Sequence, residues 1–171
     1  MGKITLILGG ARSGKSTYAL RLAKKYNKVA FIATCQGLDK EMRQRIKKHK
    51  VSRPGNWATF EKDKDIVSAL ESIGNDFDCI VIDCLTLWVC NLLLSQNKEE
   101  KIAREIIAML ARLKVMKARA ILVSNEVGLG LVPANKLGRK FRDIAGRVNQ
   151  LAAQGADEVF FTISGIPVKI K

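Results

Sequence analysis

Residues 4–20 read ITLILGGARSGKSTYAL, and this stretch decides the fold. Residues 4–8 are an apolar run, as expected of a short strand buried in a parallel sheet. The run ends in Gly9, Gly10, Ala11, Arg12, Ser13, Gly14, Lys15 and Ser16, which match G-x-x-x-x-G-K-[ST] at every defined position. The glycines let the backbone turn sharply and bring its N–H groups up to an anion. Lys15 is then placed to reach β/γ-phosphates, and the Ser16 hydroxyl to help hold Mg²⁺. A helix opening near Gly14 adds the positive end of its dipole at the same spot. Strand before and helix after is the context the motif requires, and it separates this loop from a chance glycine-rich turn.

Outward from the loop, apolar runs alternate with amphipathic stretches to the end of the chain. Residues 16–26 read as helix and 29–33 as a second buried strand. Thr34, Cys35 and Gln36 leave that strand at its carboxyl end, where open α/β sheets bind ligands. They either touch a nucleotide or make the turn. Residues 39–50 form a highly charged helix with Leu38, Met42, Ile46 and His49 on one face. Residues 57–61 are a short extended piece, 65–73 a helix and 79–83 an apolar strand ending in Asp83. Residues 85–94 are a mainly apolar stretch that reads as helical or partly irregular. Residues 99–117 are amphipathic, with Ile102, Ile106, Met109, Leu110 and Leu113 as the stripe. A strand at 120–124, a glycine-rich loop at 125–135, a helix at 136–154 and strands at 158–163 and 168–170 complete the pattern. The expectation is one α/β domain over residues 1–171, of the phosphate-loop NTPase type. Its sheet is mostly parallel with helices on both faces.

The 171 residues suffice for a full core. No apolar run approaches the roughly 20 residues that cross a bilayer. The first residues pass straight into a strand, so no signal peptide is expected and a cytoplasmic location follows. Thirty basic against sixteen acidic residues give +14, which suits a polyanionic ligand. Without basic blocks interleaved with aromatics, small phosphate compounds fit better than nucleic acid. Cys35, Cys79, Cys84 and Cys90 form no C-x-x-C pair, so neither a zinc site nor a disulfide is expected.

Three positions carry chemistry beyond the loop. Asp83 ends an apolar strand, where phosphate-loop enzymes keep the acid that binds Mg²⁺; Glu126 competes for that role. His49, the sole histidine, has two readings. It extends the stripe of Met42 and Ile46, which fits a half-buried structural imidazole. It also sits among Lys47, Lys48, Lys50 and Arg53, and a neutral imidazole there is a competent nucleophile toward a phosphorus atom those cations hold nearby. Arg12, Arg139, Arg142 and Arg147 add cations, most of them of the solvated or structural kind.

The order of several blocks resembles the bifunctional cobinamide kinase / cobinamide-phosphate guanylyltransferases of late adenosylcobalamin assembly. The blocks are GGARSGKS (9–16), IAT (32–34), DKEMRQRIKKHKVSRPGNW (39–57), VIDCLTLWVCNLL (81–93), SNEVGLGLVP (124–133), FRDIAGRVNQ (141–150) and SGIPVKIK (164–171). The resemblance implies two activities: phosphorylation of adenosylcobinamide with ATP or GTP, and transfer of GMP from GTP to the resulting phosphate with release of pyrophosphate. In that family the guanylyl group passes through a phosphoramidate on a histidine, which maps to His49. A second histidine that relatives carry just before it is Lys48 here. The resemblance also assigns nucleotide contacts to residues 9–16, to Thr34, Cys35 and Gln36, to Ser52, Arg53, Pro54 and Gly55, to Glu61 and to Asp83; the motif and the strand-end position put Mg²⁺ on Ser16 and Asp83. It further implies a homotrimer. Two readings compete with it: a phosphate-loop kinase of another small alcohol with a structural His49, and a nucleotide-dependent nucleic-acid-binding module.

Overall fold

In the computed structural model, which describes residues 2–37 and 39–171 apart from the side chain of Arg45, strand β1 (Ile4–Gly9) lies inside a seven-stranded sheet. Its companions are β2 (Val29–Ala33), β3 (Ala58–Glu61), β4 (Cys79–Asp83), β5 (Arg119–Val123), β6 (Glu158–Ile163) and β7 (Ile166–Lys169). The order across the sheet is β3-β2-β4-β5-β1-β6-β7. All pairings are parallel except β6 with β7. The expected mostly parallel α/β fold is therefore what the chain adopts. Leu38, expected on the stripe of the charged helix, lies outside the described residues.

Alternation along the strands divides the core between two faces. Ile4, Leu6, Leu8, Ala30, Ile32, Ile80, Ile82, Ala120 and Leu122 point to one side. They pack there against α3 (Ile66–Ile73), α4 (Leu85–Leu94), α5 (Glu99–Val115) and α6 (Lys136–Gly155). Ile7, Val29, Phe31, Val81, Ile121 and Val123 point to the other, against α1 (Lys15–Ala23) and Trp57. Helices thus cover both faces. The charged helix α2 (Lys40–Val51) joins neither core and is exposed along most of its length.

The elements depart from the sequence reading in several details, three of which have a clear local reason. Helix α1 stops at Ala23 because its last turn tightens: Lys25 N–H bonds Leu22 O and Tyr26 N–H bonds Ala23 O, the i→i+3 pattern that commonly ends helices. The apolar segment after Asp83 is an unbroken helix, since Leu85, Trp88, Val89, Leu92 and Leu93 are buried on several sides. Strand β7 begins two residues early because Ser164 and Gly165, at φ 51° and 86°, make the two-residue turn that pairs Ile163 with Ile166. Pro167 is tolerated because β7 is an edge strand.

Candidate active site

The carboxyl ends of β1, β2, β4 and β5 open into one cavity of about 1220 Å³. The phosphate loop forms its floor and α2 stands along its side. On the loop, Ala11, Arg12, Ser13, Gly14, Lys15 and Ser16 line the cavity. The loop is clamped from below. Ser13 Oγ and Thr162 Oγ1 are 2.8 Å apart, Thr162 Oγ1 donates to Leu8 O at 3.0 Å, and Gly165 N–H donates to Ser13 O at 2.9 Å. A Cβ on Gly9 would stand 2.5 Å from both Thr162 oxygens, so only glycine fits there. Lys15 is buried, and its ammonium donates to Gly10 O at 2.5 Å. Burial lowers its pKa, while Cys84 and Asp83 act the other way.

Asp83 arrives at the cavity from β4. Burial pushes its carboxyl above the usual carboxylate range, and the Ser16 hydroxyl bonded to it and the charges of His49, Arg53 and Lys15 pull it back. A hydroxyl from the loop and a carboxylate from the next-but-one strand thus meet as a pair of hard oxygen donors. Glu126, the other candidate acid, is engaged elsewhere: Gly128 N–H donates to its Oε1 at 2.9 Å, and Asn149 Nδ2 lies 3.4 Å from its Oε2. Cys84 does not supply a nucleophile, because burial first and Asp83 second push its thiol up to about 12.

Helix α2 contributes Glu41, Met42, Gln44, Ile46, Lys48, His49 and Lys50 to the wall. Its N-terminus is capped by Asp39, whose Oδ1 accepts from Met42 N–H at 2.7 Å. His49 is exposed rather than half-buried, because the stripe of Met42 and Ile46 faces an open cavity and not the core. Past the helix, the Arg53 guanidinium lies 3.6 Å over the ring of Phe31, which in turn stacks on Trp57. Its Nε and Nη1 are buried without a hydrogen-bond partner among the described residues. Burial lowers its pKa against the pull of Asp83 and Glu61. A cation so placed suits an anionic ligand.

The remaining expected residues separate into two groups. Cys35, Gln36 and Glu61 line the cavity, Gln36 as donor to Asp63 and Glu61 in an ion pair with Lys50. Thr34 is fully buried: its hydroxyl donates to Cys84 O and accepts from Cys84 N–H, both at 2.8 Å. It shapes the ground beneath the cavity. Ser52, whose hydroxyl donates to His49 O at 2.9 Å, stands with Pro54 and Gly55 outside the lining residues, as do Gly9 and Gly10. Lys48 and Lys50, expected as cations around His49, line the wall, and so do Lys62, Asp63 and Asn125, which sequence reasoning did not single out. Asn125 depends on strand order, which local patterning does not carry.

Residues 5–170 match the family model described as cobinamide kinase / cobinamide phosphate guanyltransferase. The chain belongs to that family. It is 44% identical over 167 residues to the bifunctional adenosylcobalamin biosynthesis protein CobP of Pseudomonas aeruginosa, covering 97% of this chain and 96% of that protein. It is 42% identical over 178 residues to the bifunctional adenosylcobalamin biosynthesis protein CobU of Escherichia coli K12, covering 97% and 98%. Among solved structures, a KaiC-like protein of Pyrococcus horikoshii superposes with a TM-score of 0.55 at 18% identity, over 94% of this chain and 70% of that one. The RadB recombinase does so with a TM-score of 0.53 at 14% identity, over 94% and 74%. These two likenesses concern the fold alone. Family membership makes the chain an enzyme of cobalamin biosynthesis, a kinase and guanylyltransferase acting on cobinamide and its phosphate.

Proposed function

We propose that one nucleoside triphosphate site serves both reactions and that His49 carries the guanylyl group between them. The observation that carries this reading is that the chain's one imidazole lines the same cavity as Lys15, Ser16, Arg53 and Asp83. In guanylyl transfer an imidazole nitrogen of His49 attacks the α-phosphorus of GTP. The bond from that phosphorus to the bridging oxygen breaks, and pyrophosphate leaves into the loop, held by Lys15 and the backbone N–H groups. A phosphate oxygen of cobinamide phosphate then attacks the same phosphorus, and the phosphorus–nitrogen bond breaks to free His49. Two bulky substrates use the site in turn, which gives ping-pong kinetics.

In the kinase reaction the cobinamide hydroxyl takes the γ-phosphoryl group of ATP or GTP directly, with Lys15 and Arg12 as the cations of the loop. Arg53, stacked on Phe31 with its Nε and Nη1 unbonded among the described residues, is assigned to a phosphate of the nucleotide, and Glu61, Cys35 and Gln36 to its nucleoside end. Ser16 and Asp83 would hold Mg²⁺: both are hard oxygen donors lining the same cavity, and Mg²⁺ takes few protein ligands beside phosphate and water. When bound, the ion neutralises charge on the phosphates. We also assign a homotrimer in the cytoplasm, with small molecules rather than nucleic acid as partners. Family resemblance supports the trimer, and exposed Leu129, Leu131 and Val132 are apolar surface that such an assembly would cover.

The test mixes the protein with GTP and no acceptor. Pyrophosphate release in one burst, lost in His49→Ala and on chelation of Mg²⁺, is the expected result. A full burst from His49→Ala removes His49 from the chemistry, and a full burst after chelation removes the metal. Sedimentation velocity tests the trimer; a monomer at micromolar concentration overturns it.

A further inference from the structure

Asn125 stands two residues past the end of β5, the strand between β4, which delivers Asp83, and β1, which delivers the phosphate loop. Register fixes its height. Val123 is level with Asp83 on one side and with Ile7 on the other. Beyond it, Ser124 N–H donates to Ile7 O at 3.0 Å and Glu126 N–H to Gly9 O at 2.9 Å. Residues 124–126 therefore run beside the entrance to the loop.

The Asn125 backbone is committed at both ends. Its N–H donates to Thr86 Oγ1 at 2.6 Å, and its carbonyl accepts from Asn149 Nδ2 at 3.0 Å. Thr86 Oγ1 lies 3.1 Å from Ser124 Oγ, which donates to Asn149 Oδ1 at 2.7 Å. Thr86, Ser124 and Asn149 are all buried. Three buried polar side chains, from α4, the end of β5 and α6, thus fix one backbone unit, and a fully satisfied network of that kind specifies a single arrangement. The part left uncommitted is the Asn125 carboxamide, which has no hydrogen-bond partner among the described residues. The residue lines the cavity together with Lys15, Ser16 and Asp83.

We propose that the Asn125 carboxamide is a catalytic residue of phosphoryl transfer. Its Nδ2 donates to an oxygen of the terminal phosphoryl group, and its Oδ1 accepts from the attacking hydroxyl. The hydroxyl oxygen bonds to the γ-phosphorus while the bond from that phosphorus to the bridging oxygen breaks. The nucleoside diphosphate departs with the electron pair, and the hydroxyl proton passes to water. The amide exchanges no proton; it orients the nucleophile and meets charge on the equatorial oxygens. Neutrality suits the place, since a second carboxylate beside Asp83 would repel the phosphates. The assignment is to the γ end because Lys15 and Asp83, its neighbours on the wall, address that end, whereas His49 stands across on α2. It rests on the reading that the triphosphate occupies this cavity.

Asn125→Ala and the isosteric Asn125→Asp test it in both half-reactions, with thermal melting as the check on folding. The expected result is a kinase kcat about 100-fold lower in Asn125→Ala and lower still in Asn125→Asp. At saturating nucleotide, guanylyl labelling from GTP falls at least about tenfold less than the kinase kcat in each variant, and Asn125→Asp, whose carboxylate repels the phosphates, also raises nucleotide KM. A general loosening of the site would lower both activities together, so an equal fall in the two half-reactions overturns the proposal. A kinase kcat within about threefold of the parent overturns it as well. If Asn125→Ala melts early, Asn125→Asp decides by the same split. Lys15→Ala separates this role from the reading beneath it: kinase loss there beside a normal Asn125→Ala refutes Asn125 alone, while an active Lys15→Ala refutes the site.

Discussion

The phosphate loop and helix α2 face each other across one cavity and are held in opposite ways. The loop is gripped at several points: Ser13 on the buried Thr162, Ser13 O on Gly165, Gly9 wedged against Thr162, and Lys15 folded back on Gly10 O. Helix α2 is exposed and charged, fastened by an Asp39 cap, a bond from Arg43 Nε to Gly37 O at 3.1 Å, and the ion pair of Lys50 with Glu61. The contrast matches two kinds of work. Stabilising charge on a transferring phosphoryl group requires donors fixed in advance. Carrying a guanylyl group from one bulky substrate to another requires a nucleophile that both can reach, and an exposed imidazole on an outlying helix meets that need.

The contrast yields predictions of falling size. Lys15→Ala removes the buried cation that both reactions use, and each should lose about 100- to 1,000-fold in kcat/KM. Steady-state assays of the two half-reactions check this, and a loss confined to one of them would break the picture of a shared floor. Gly9→Ala tests the grip itself. Its Cβ would lie 2.6 Å from Ser13 Oγ as well as against Thr162, at a cost of about 2–3 kcal/mol, or a Tm lower by about 5–10 °C. A calorimetric scan unchanged from the parent would show the loop to be looser than described.

On the opposite side, Lys50→Ala breaks an ion pair whose partners are 50% and 63% exposed. Tm should move by no more than about 2 °C. A larger drop would mean that α2 is bound into the fold as firmly as the loop. The smallest effect lies away from both regions, on the β6–β7 edge. Glu158 accepts from Lys169 Nζ at 2.9 Å and pairs with Arg119. Chiefly through the Lys169 bond, its carboxyl is held below its ordinary value of 4.5. A carboxyl lowered in the folded state adds stability above its unfolded pKa and loses it as pH falls through the folded one. Glu158→Gln should therefore melt slightly earlier than the parent at pH 7 and converge with it below pH 4.5; a gap that persists in acid would contradict the assignment.

Much of this was legible in the sequence because it is local. An apolar run feeding G-x-x-x-x-G-K-[ST] fixes strand, loop and helix within a dozen residues, and the runs ending at Ala33 and Asp83 emerge as strands with those ends. Features that depend on neighbours were harder to read. Residues 85–94 lack an amphipathic period because they are buried on several sides, so pattern alone left their regularity open. His49 shares a stripe with Met42 and Ile46, but a stripe does not say whether it faces a core or a ligand cavity. Thr34 sits at a strand end like a ligand contact, yet its hydroxyl closes on the Cys84 backbone. Asn125 gains its meaning from β5 lying between β4 and β1, a fact of topology.

The central claim is that the outlying helix carries the covalent chemistry and the clamped loop does not. Protein incubated with GTP labelled at the α-phosphate, then digested and mapped by mass spectrometry, tests it directly. The account predicts an acid-labile, base-stable guanylyl group on His49 and no label in His49→Ala. Label on any other residue, or undiminished label in that variant, would contradict it.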